Sequence, residues 1–362
     1  MLSYVFVIAA LIWWKRPKAE STGLNEQFFG AFRAGVRYAR ASRELHVVLL
    51  RAAVFFLFAS SVWALLPLVA RRMLGGTAGF YGVMLGAVGA GAILGAVLLP
   101  QLRKRLNTDG LVLLASIVTA AVMGVLAMAP PQWAAVALML VLGLGWILAL
   151  TTFNGVAQAV LPNWVRGRGL AIYLMVFNGA MAAGSLGWGL VAGQLGLPTT
   201  LLIGAAGLVV VSFIFHRVRL PSGEADLQAS NHWPEPLLAE PVAHDRGPVM
   251  IQIDYRIRRE DLPAFFQAMQ HVAKERRRDG AYAWGVAEHT GEPGRVIEWF
   301  LVESWAEHLR QHGRVSKADA DLQAEALRYH QGPDKPVVHH FLALDAQSAK
   351  APSAGHDHGH AH

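Results

Sequence analysis

Long apolar runs separated by short polar links occupy the middle of the chain. Six of these runs are close to the roughly 20 residues that an α-helix needs to cross a bilayer. They cover about residues 46–70, 79–99, 111–129, 133–159, 170–195 and 199–215. Between residues 45 and 216 there is one lysine, Lys104, and one acidic residue, Asp109. A soluble domain of that size would contain more charged residues. Residues 46–219 are therefore predicted to form a six-span transmembrane bundle.

The chain before the first full run is predicted to contain two further elements. Residues 1–18 begin with an apolar run ending at Trp14, which as a helix covers about 20 Å of a roughly 30 Å hydrocarbon layer. We interpret it as the end of a transmembrane helix whose start precedes the chain, with a short interfacial helix as the alternative. Residues 19–45 place Phe28 and Phe32 on one helical face and arginines on the others. That pattern predicts an amphipathic segment on the cytoplasmic membrane surface.

The composition changes after residue 219. Residues 220–247 are rich in proline, serine and acidic residues and are predicted to form a linker, and the histidine-rich residues 345–362 a disordered tail. Residues 248–344 read as β-α-β-β-α-β, the order of the ferredoxin-like split unit. The predicted strands are 249–255, 281–288, 295–302 and 337–342, and the predicted helices are 261–278 and 304–330, the latter broken near Gly313. The predicted fold class is therefore an all-α transmembrane bundle followed by a small α+β ferredoxin-like domain.

The positive charge of the chain is concentrated in loops on one side of the bundle. The net charge is +7 with only 16% charged residues, and lysine and arginine collect on one side of the bundle, at Lys15–Lys18, Arg103–Arg105 and Arg166–Arg168. Positively charged loops face the cytoplasm, so the C-terminal domain is predicted to be cytoplasmic and the protein to lie in the cell inner membrane. Arg71 and Arg72 on the other side are the exception. A lipid bilayer accounts for the basic charge, and no nucleic-acid partner is expected.

Five polar side chains stand out in otherwise apolar runs. Thr151, Thr152, Asn154 and Gln158 lie in the fourth run, and Asn178 lies in the fifth. Asn154 and Gln158 are four residues apart and therefore share one helical face. We predict that these residues line a substrate cavity. The alternative is that they hydrogen-bond between helices and only hold the bundle together.

Other polar groups carry simpler interpretations. Arg51, about one turn inside the first run, is expected to extend to the cytoplasmic interface. Asp109 is interpreted as part of a helix cap, which leaves the spans without a carboxylate for proton coupling. His308 and His312 are one turn apart but lack an evident third ligand, so a solvated helix face is favoured over a metal site. With no cysteine in the chain, no metal site, cofactor or catalytic residue is predicted.

Several stretches resemble one family of membrane transporters. They are Leu65–Arg71, Leu99–Arg103 and Gln158–Arg168 in the bundle, and Arg276–Ala281, Val302–His312 and Val338–Phe341 in the soluble part. The chain resembles the major facilitator superfamily, in its enterobactin-exporter-like or transmembrane secretion effector branch. The resemblance implies export of a small hydrophobic or siderophore-like metabolite. It also implies that the loop residues act as a cytoplasmic gate through ion pairs, namely Arg103, Lys104, Arg105, Arg166 and Arg168.

Members of that superfamily have two six-span halves, and this chain corresponds to the C-terminal half. A complete transport path then requires a missing N-terminal half or a homodimer of this chain. The soluble part resembles the dimeric α/β-barrel group of antibiotic-biosynthesis monooxygenases and haem degraders, in which a second copy covers the open sheet face. We expect no enzyme activity from it. The alternatives are a membrane-anchored α/β-barrel binding module or monooxygenase-like domain, and an inactive truncated remnant.

Three further expectations concern the soluble domain. Trp284, Trp299 and Trp305 are expected in its core rather than in a cleft. The charged run Lys274–Asp279 is expected at the exposed end of the first helix. The alternating residues of the first strand predict one sheet face beneath the helices and another that pairs with a second copy.

Overall fold

A computed structural model describes residues 28–221, 230 and 242–344, together with residues 6, 8, 10, 12 and 13. The predicted partial span over residues 1–18 and the amphipathic segment before residue 28 lie almost wholly outside these residues. So do most of the predicted linker and all of the histidine-rich tail from residue 345.

The amphipathic segment folds as a helix of its own. Helix α1 covers Phe28–Ala41, and α2 begins directly afterwards and covers Arg43–Leu68. The sequence pattern predicted one continuous segment as far as residue 45. The structure divides it because the Ser42 hydroxyl accepts a hydrogen bond from the Leu45 N–H at 3.2 Å and so caps a new helix.

Six helices are long and apolar enough to cross a membrane, as predicted. The first is α2, whose α-helical part ends just after Pro67 and passes into a single π-helical turn over Val69–Met73. The other five are α3 (Ala78–Arg103), α4 (Thr108–Leu126), α5 (Gln132–Ala159), α6 (Arg166–Leu195) and α7 (Leu197–His216).

Glycine allows two of these helices to meet backbone to backbone. Helix α3 packs along α5, and α2 packs against α6 and α7. A Cβ atom at Gly91 would collide with the Leu140 backbone, and one at Gly143 with the Val88 backbone. Both positions therefore require glycine for this approach. Other glycines of α3, among them Gly82, have no described atom within 4 Å of an added Cβ.

An aromatic cluster joins α2, α5 and α6. The ring of Phe56 in α2 lies 4.5 Å from that of Phe177 in α6 and 5.8 Å from that of Phe153 in α5, measured between centroids. Trp146 of α5 adds an edge-on contact at 5.4 Å. Such offset and edge-on pairs stabilise beyond the area they bury, so the three helices share a fixed register.

The soluble domain has the predicted β-α-β-β-α-β order. Its strands are β1 (Val249–Arg256), β2 (Ala283–Glu288), β3 (Arg295–Val302) and β4 (Val337–Leu342). Its helices are α8 (Leu262–Asp279), α9 (Trp305–Arg314) and α10 (Lys317–Leu327). The strands form one antiparallel sheet in the order β2-β3-β1-β4, which confirms the ferredoxin-like prediction. The predicted second helix is two helices because Ser316 begins α10 with a capping box.

The two faces of the sheet differ in their cover. Val249, Ile251 and Phe300 face the helices and are buried. The opposite face carries Trp299, which is partly buried, and Phe341, which is 44% exposed. Trp305 is buried in the core as predicted, and the partly buried Trp284 packs against that core. Trp299 instead lies on the open face.

The prediction that Lys274–Asp279 is exposed is wrong for Glu275, Arg276 and Asp279, which are buried, whereas Lys274 and Arg277 are exposed. Arg276 is 3% exposed, and its Nε donates to Glu298 Oε1 at 2.9 Å. Glu298, which is fully buried, also accepts from Tyr255 at 3.3 Å and from Trp284 at 3.1 Å. A buried charge is tolerated when it is paired and its hydrogen bonds are satisfied. Arg276 can therefore be buried in the core because Glu298 of β3 supplies its counter-charge.

Candidate functional site

The predicted cavity residues lie on adjacent helices at similar depth. Asn154 directly follows Phe153, and Asn178 directly follows Phe177. Both phenylalanines contact the ring of Phe56, so the two asparagines stand at the same level of the bundle. Asn154 is half-buried and Asn178 is exposed.

The remaining predicted residues lie on either side of Asn154 along α5, with Gln158 nearest its C-terminal end. Gln158 is exposed, Thr151 is half-buried and Thr152 is buried with its hydroxyl unpaired in the described structure. Thr151 donates to its own helix at Ile147 O, 2.6 Å away, and Asn178 to its own helix at Leu174 O, 2.8 Å away. Neither bond joins two helices. The alternative of interhelical hydrogen bonding therefore receives no support from these two residues.

The polar surface is bordered by glycines that have open space where a side chain would lie. An added Cβ at Gly155 of α5, or at Gly179 or Gly187 of α6, would find no atom within 4 Å among the described residues. By contrast, Gly184 packs against Ser60 of α2. Helix α6 thus contacts the bundle along one side. Its opposite side, which the six described spans leave open, carries Asn178 and glycines together with exposed apolar residues such as Met175 and Leu190.

An ion pair inside the membrane bundle was missed by the sequence interpretation. The Arg51 guanidinium of α2 donates to the Asp109 carboxylate of α4, and the two residues are 5% and 7% exposed. Arg51 therefore reaches the level at which α4 begins and α7 ends, but its guanidinium is buried in an ion pair there rather than exposed. Asp109 is not the cap, because Asn107 caps α4 by accepting from the Gly110 N–H at 2.8 Å.

The same ion pair holds the chain that leaves the last span. Arg51 Nη1 donates to Val218 O at 3.0 Å, and the Leu220 N–H donates to Asp109 Oδ1 at 3.1 Å. Charged residues within spans are rare, face the protein interior and mark functional sites. One signal in the sequence pointed to this pair, since Asp109 is the sole acidic residue between residues 45 and 216.

The predicted gate residues divide into two groups. Arg103, Lys104 and Arg105 are exposed, and no carboxylate pairs with them within the described residues. Arg166 Nε donates to Leu161 O at 3.3 Å. Arg168 packs its side chain on Gly35 of α1, where an added Cβ would lie 2.8 Å from Arg168 Cβ. The loop between α5 and α6 is therefore joined to α1, whereas an ion-pair gate stays a prediction.

The loop between α5 and α6 also meets the soluble domain, at a three-way contact. Tyr38 of α1 donates to Val160 O at 3.0 Å and packs edge-on against Trp164, 5.7 Å between ring centroids. Arg314 of α9 stacks its guanidinium over the face of Trp164, 4.6 Å from the ring centroid. Burial raises the pKa of Tyr38 to about 12, so its hydroxyl stays a donor at neutral pH. We call Tyr38, Trp164 and Arg314 the junction.

Glu307 supplies the counter-charge beside the junction. Its carboxylate accepts from Arg37 of α1 and from Arg314 of α9, each at 2.7 Å, and from Arg310 at 3.4 Å. Burial alone would raise the pKa of Glu307, but Arg314 and Arg37 outweigh it and hold the pKa below its usual value. Glu307 therefore stays ionised, and one carboxylate links the membrane part to the soluble domain.

Titratable side chains also cluster within the soluble domain. Carboxylate oxygens of Glu275, Asp279 and Asp319 lie within 4.8 Å of one another. Arg278 bonds both Asp279 and Asp319, so an arginine already provides positive charge there. The prediction that His308 lies on a solvated face is wrong, because His308 is 1% exposed beneath Trp305.

These features define a class of protein: a multi-pass membrane protein with an appended α+β domain. The chain belongs to the transmembrane secretion effector family of the major facilitator superfamily, whose family model matches residues 1–348. One solved structure is similar to the soluble part, described as that of a proposed antibiotic biosynthesis monooxygenase from Caulobacter crescentus. The identity is 15%, the TM-score is 0.25, and the match covers 28% of this chain and 94% of the other. We draw nothing about activity from that likeness. No match was found among the curated proteins.

Proposed function

We propose that this protein exports a small hydrophobic or siderophore-like metabolite across the cell inner membrane. The observation that carries the proposal is the set of polar side chains, Asn154, Gln158 and Asn178, on a side of α5 and α6 that the other described spans leave open. In a transporter, substrate and coupling sites lie where two halves of the fold meet. This open side is therefore our candidate substrate surface.

We expect the open surface to bind substrate through the two asparagines. Asn178→Leu and Asn154→Leu should each lower efflux at unchanged protein abundance, by about tenfold if one hydrogen bond worth roughly 1–1.5 kcal/mol is lost in the transported state. The measurement is efflux of a panel of siderophore-like and hydrophobic compounds from cells or vesicles. Val210→Ala is the control, since Val210 is a 56% exposed apolar residue of α7, outside the candidate surface. Equal efflux by the asparagine variants and this control would contradict the site.

The path requires a second six-span bundle, and two surfaces favour a partner. Small residues on the open side of α6 permit close approach of another helix. The open sheet face of the soluble domain presents Trp299 and Phe341. An N-terminal six-span half would use the first surface, whereas a second copy of this chain would use both.

We predict a homodimer through the open sheet face. The intact chain in detergent should contain two copies by light scattering, and Phe341→Asp should reduce it to one because a charge enters an apolar interface. Tyr282→Asp is the control, since Tyr282 is 53% exposed, directly precedes β2 and does not belong to the open face of the sheet. A single copy for the unaltered chain at high micromolar concentration would refute the pairing.

The soluble domain is proposed to lie in the cytoplasm and to hold the loop between α5 and α6. The basic loops support this orientation, and the contact of Arg314 with Trp164 puts the domain on the same side of the bundle as Arg166 and Arg168. A periplasmic phosphatase fused after Leu344 should be inactive, whereas the same reporter fused at Pro131 should be active. An active fusion after Leu344 would contradict this orientation.

We further propose that the domain is not an enzyme, and turnover of haem or a quinol would overturn that proposal.

A further inference from the structure

A cluster of basic side chains lies at the ends of two spans. Arg103, Lys104 and Arg105 lie at the C-terminal end of α3 and in its link to α4. Arg217 and Arg219 follow the end of α7. All five side chains are exposed, and we call them the basic patch. We propose that the basic patch binds the phosphate groups of anionic phospholipids.

The two parts of the basic patch meet at the start of α4. The Leu220 N–H donates to Asp109 Oδ1 at 3.1 Å. Arg219 directly precedes Leu220, and Arg105 lies four residues before Asp109. Because four residues of extended chain span at most about 14 Å, both arginines lie close to the same carboxylate. Cations from two distant parts of the sequence therefore share one area of the surface.

No described carboxylate neutralises the basic patch. None of its five side chains forms an ion pair within residues 28–221, 230 and 242–344. Asp109, the sole acidic residue between residues 45 and 216, pairs with Arg51 instead. Arg33 and Arg37 of α1 differ from the basic patch, because they pair with carboxylates of the soluble domain. The basic patch therefore keeps its charge for an anion that the described residues do not supply.

The surroundings of the basic patch favour a lipid over a soluble anion. Val97 of α3 and Ile214 of α7 are exposed, and each lies within two turns of an arginine of the basic patch. Apolar side chains that point out of a span face the acyl chains, so the cations that follow them lie near the headgroups. Basic clusters directly beyond a span attract anionic lipids. The planar guanidinium of arginine also binds phosphate oxygens through two parallel N–H groups.

A phospholipid bound there would join two helix ends. Its phosphate would bridge the link between α3 and α4 and the chain that leaves α7. That chain is already fixed to the bundle by Arg51, which donates to Val218 O at 3.0 Å. Bound lipid is therefore expected to stabilise the bundle, since a ligand that binds only the folded state raises its stability.

The test compares lipid binding by matched charge variants. The intact chain in detergent is mixed with phosphatidylglycerol or phosphatidylcholine at equal concentration, and bound lipids are counted by native mass spectrometry. The unaltered chain should bind phosphatidylglycerol more tightly than phosphatidylcholine, by about tenfold or more. Arg217→Gln combined with Arg219→Gln should remove most of that preference. Arg71→Gln combined with Arg72→Gln is the matched control, since it also removes two exposed charges, at the opposite end of the bundle, and should keep the preference.

Thermal unfolding of the same samples separates lipid binding from folding. Because all four substituted arginines are exposed, both variants should unfold within a few degrees of the unaltered chain when no lipid is added. Phosphatidylglycerol should raise the unfolding temperature of the unaltered chain and of the control. It should leave that of Arg217→Gln with Arg219→Gln unchanged.

A second pair of substitutions tests the other part of the basic patch. Arg103→Gln combined with Arg105→Gln should lose the preference for phosphatidylglycerol as well. Equal phosphatidylglycerol affinity in all three variants would overturn the proposal. Displacement of the lipid by millimolar inorganic phosphate would also overturn it, because the basic patch would then be a site for a free anion.

Discussion

Asp109→Asn is expected to destabilise the membrane bundle by about 3–5 kcal/mol, because it leaves the Arg51 guanidinium buried without a counter-charge. The same change weakens the acceptor for the Leu220 N–H. The measurement is thermal unfolding of the protein in detergent together with its abundance in the membrane. Export should fall with abundance, since the ion pair also holds the end of the last span through Val218.

Two companion variants separate the ion pair from a local helix effect. Asn107→Ala removes the actual cap of α4 and should cost only about 1 kcal/mol. Arg51→Gln combined with Asp109→Asn removes both charges and should be clearly more stable than Asp109→Asn alone. If Asp109→Asn unfolded at the same temperature as Asn107→Ala, the ion pair would have no special role.

The second large effect is expected at Glu307. Glu307→Gln removes the charge that three arginines share, one of which, Arg314, is 5% exposed. We expect a loss of about 3 kcal/mol in the stability of the soluble domain, because a buried guanidinium loses its partner. Hydrogen exchange should then speed up in α1 and in residues 160–165, where the domain contacts the membrane part.

Two arginines of α1 provide the controls for Glu307. Arg37→Ala removes the bond of α1 to Glu307 while leaving the contact of Glu307 with Arg314, so exchange should increase in α1 more than in α9. Arg33→Ala breaks the exposed pair with Glu303, whose side chains are 66% and 49% exposed. Such pairs contribute less than about 1 kcal/mol, so little change is expected. Unchanged exchange in α1 in Glu307→Gln would show that the junction does not hold the two parts together.

The features predicted from the sequence are those set by local pattern. Span number follows from the length of the apolar runs, and the strand–helix order of the soluble domain follows from alternation and capping residues. The prediction for Lys274–Asp279 failed because a charged run was interpreted as solvated. The partner that buries Arg276 is Glu298, 22 residues later on another strand. Local periodicity contains no information about that contact.

The candidate site shows the same division. Polar residues in apolar runs identified Asn154 and Asn178 as cavity candidates from composition alone, although their role stays a prediction. The pairing of Arg51 with Asp109 joins residues 58 positions apart and depends on how α2 packs against α4. His308 was assigned to a solvated face because the sequence does not show that β4 brings His340 beside it.

The contact between Arg37 and Glu307 makes the folded chain a closed loop. Helix α1 precedes the first full span, and α9 follows the last one, so the bond between them closes a loop of the chain that contains all six spans. A tension applied to either end is then carried by this noncovalent clasp before it reaches the spans. A stop codon after the last span would open the clasp and bare the faces of Tyr38 and Trp164 to water. Arg278 and Arg314 of the soluble domain thus cover the aromatic rings of Tyr38 and Trp164 in the membrane part.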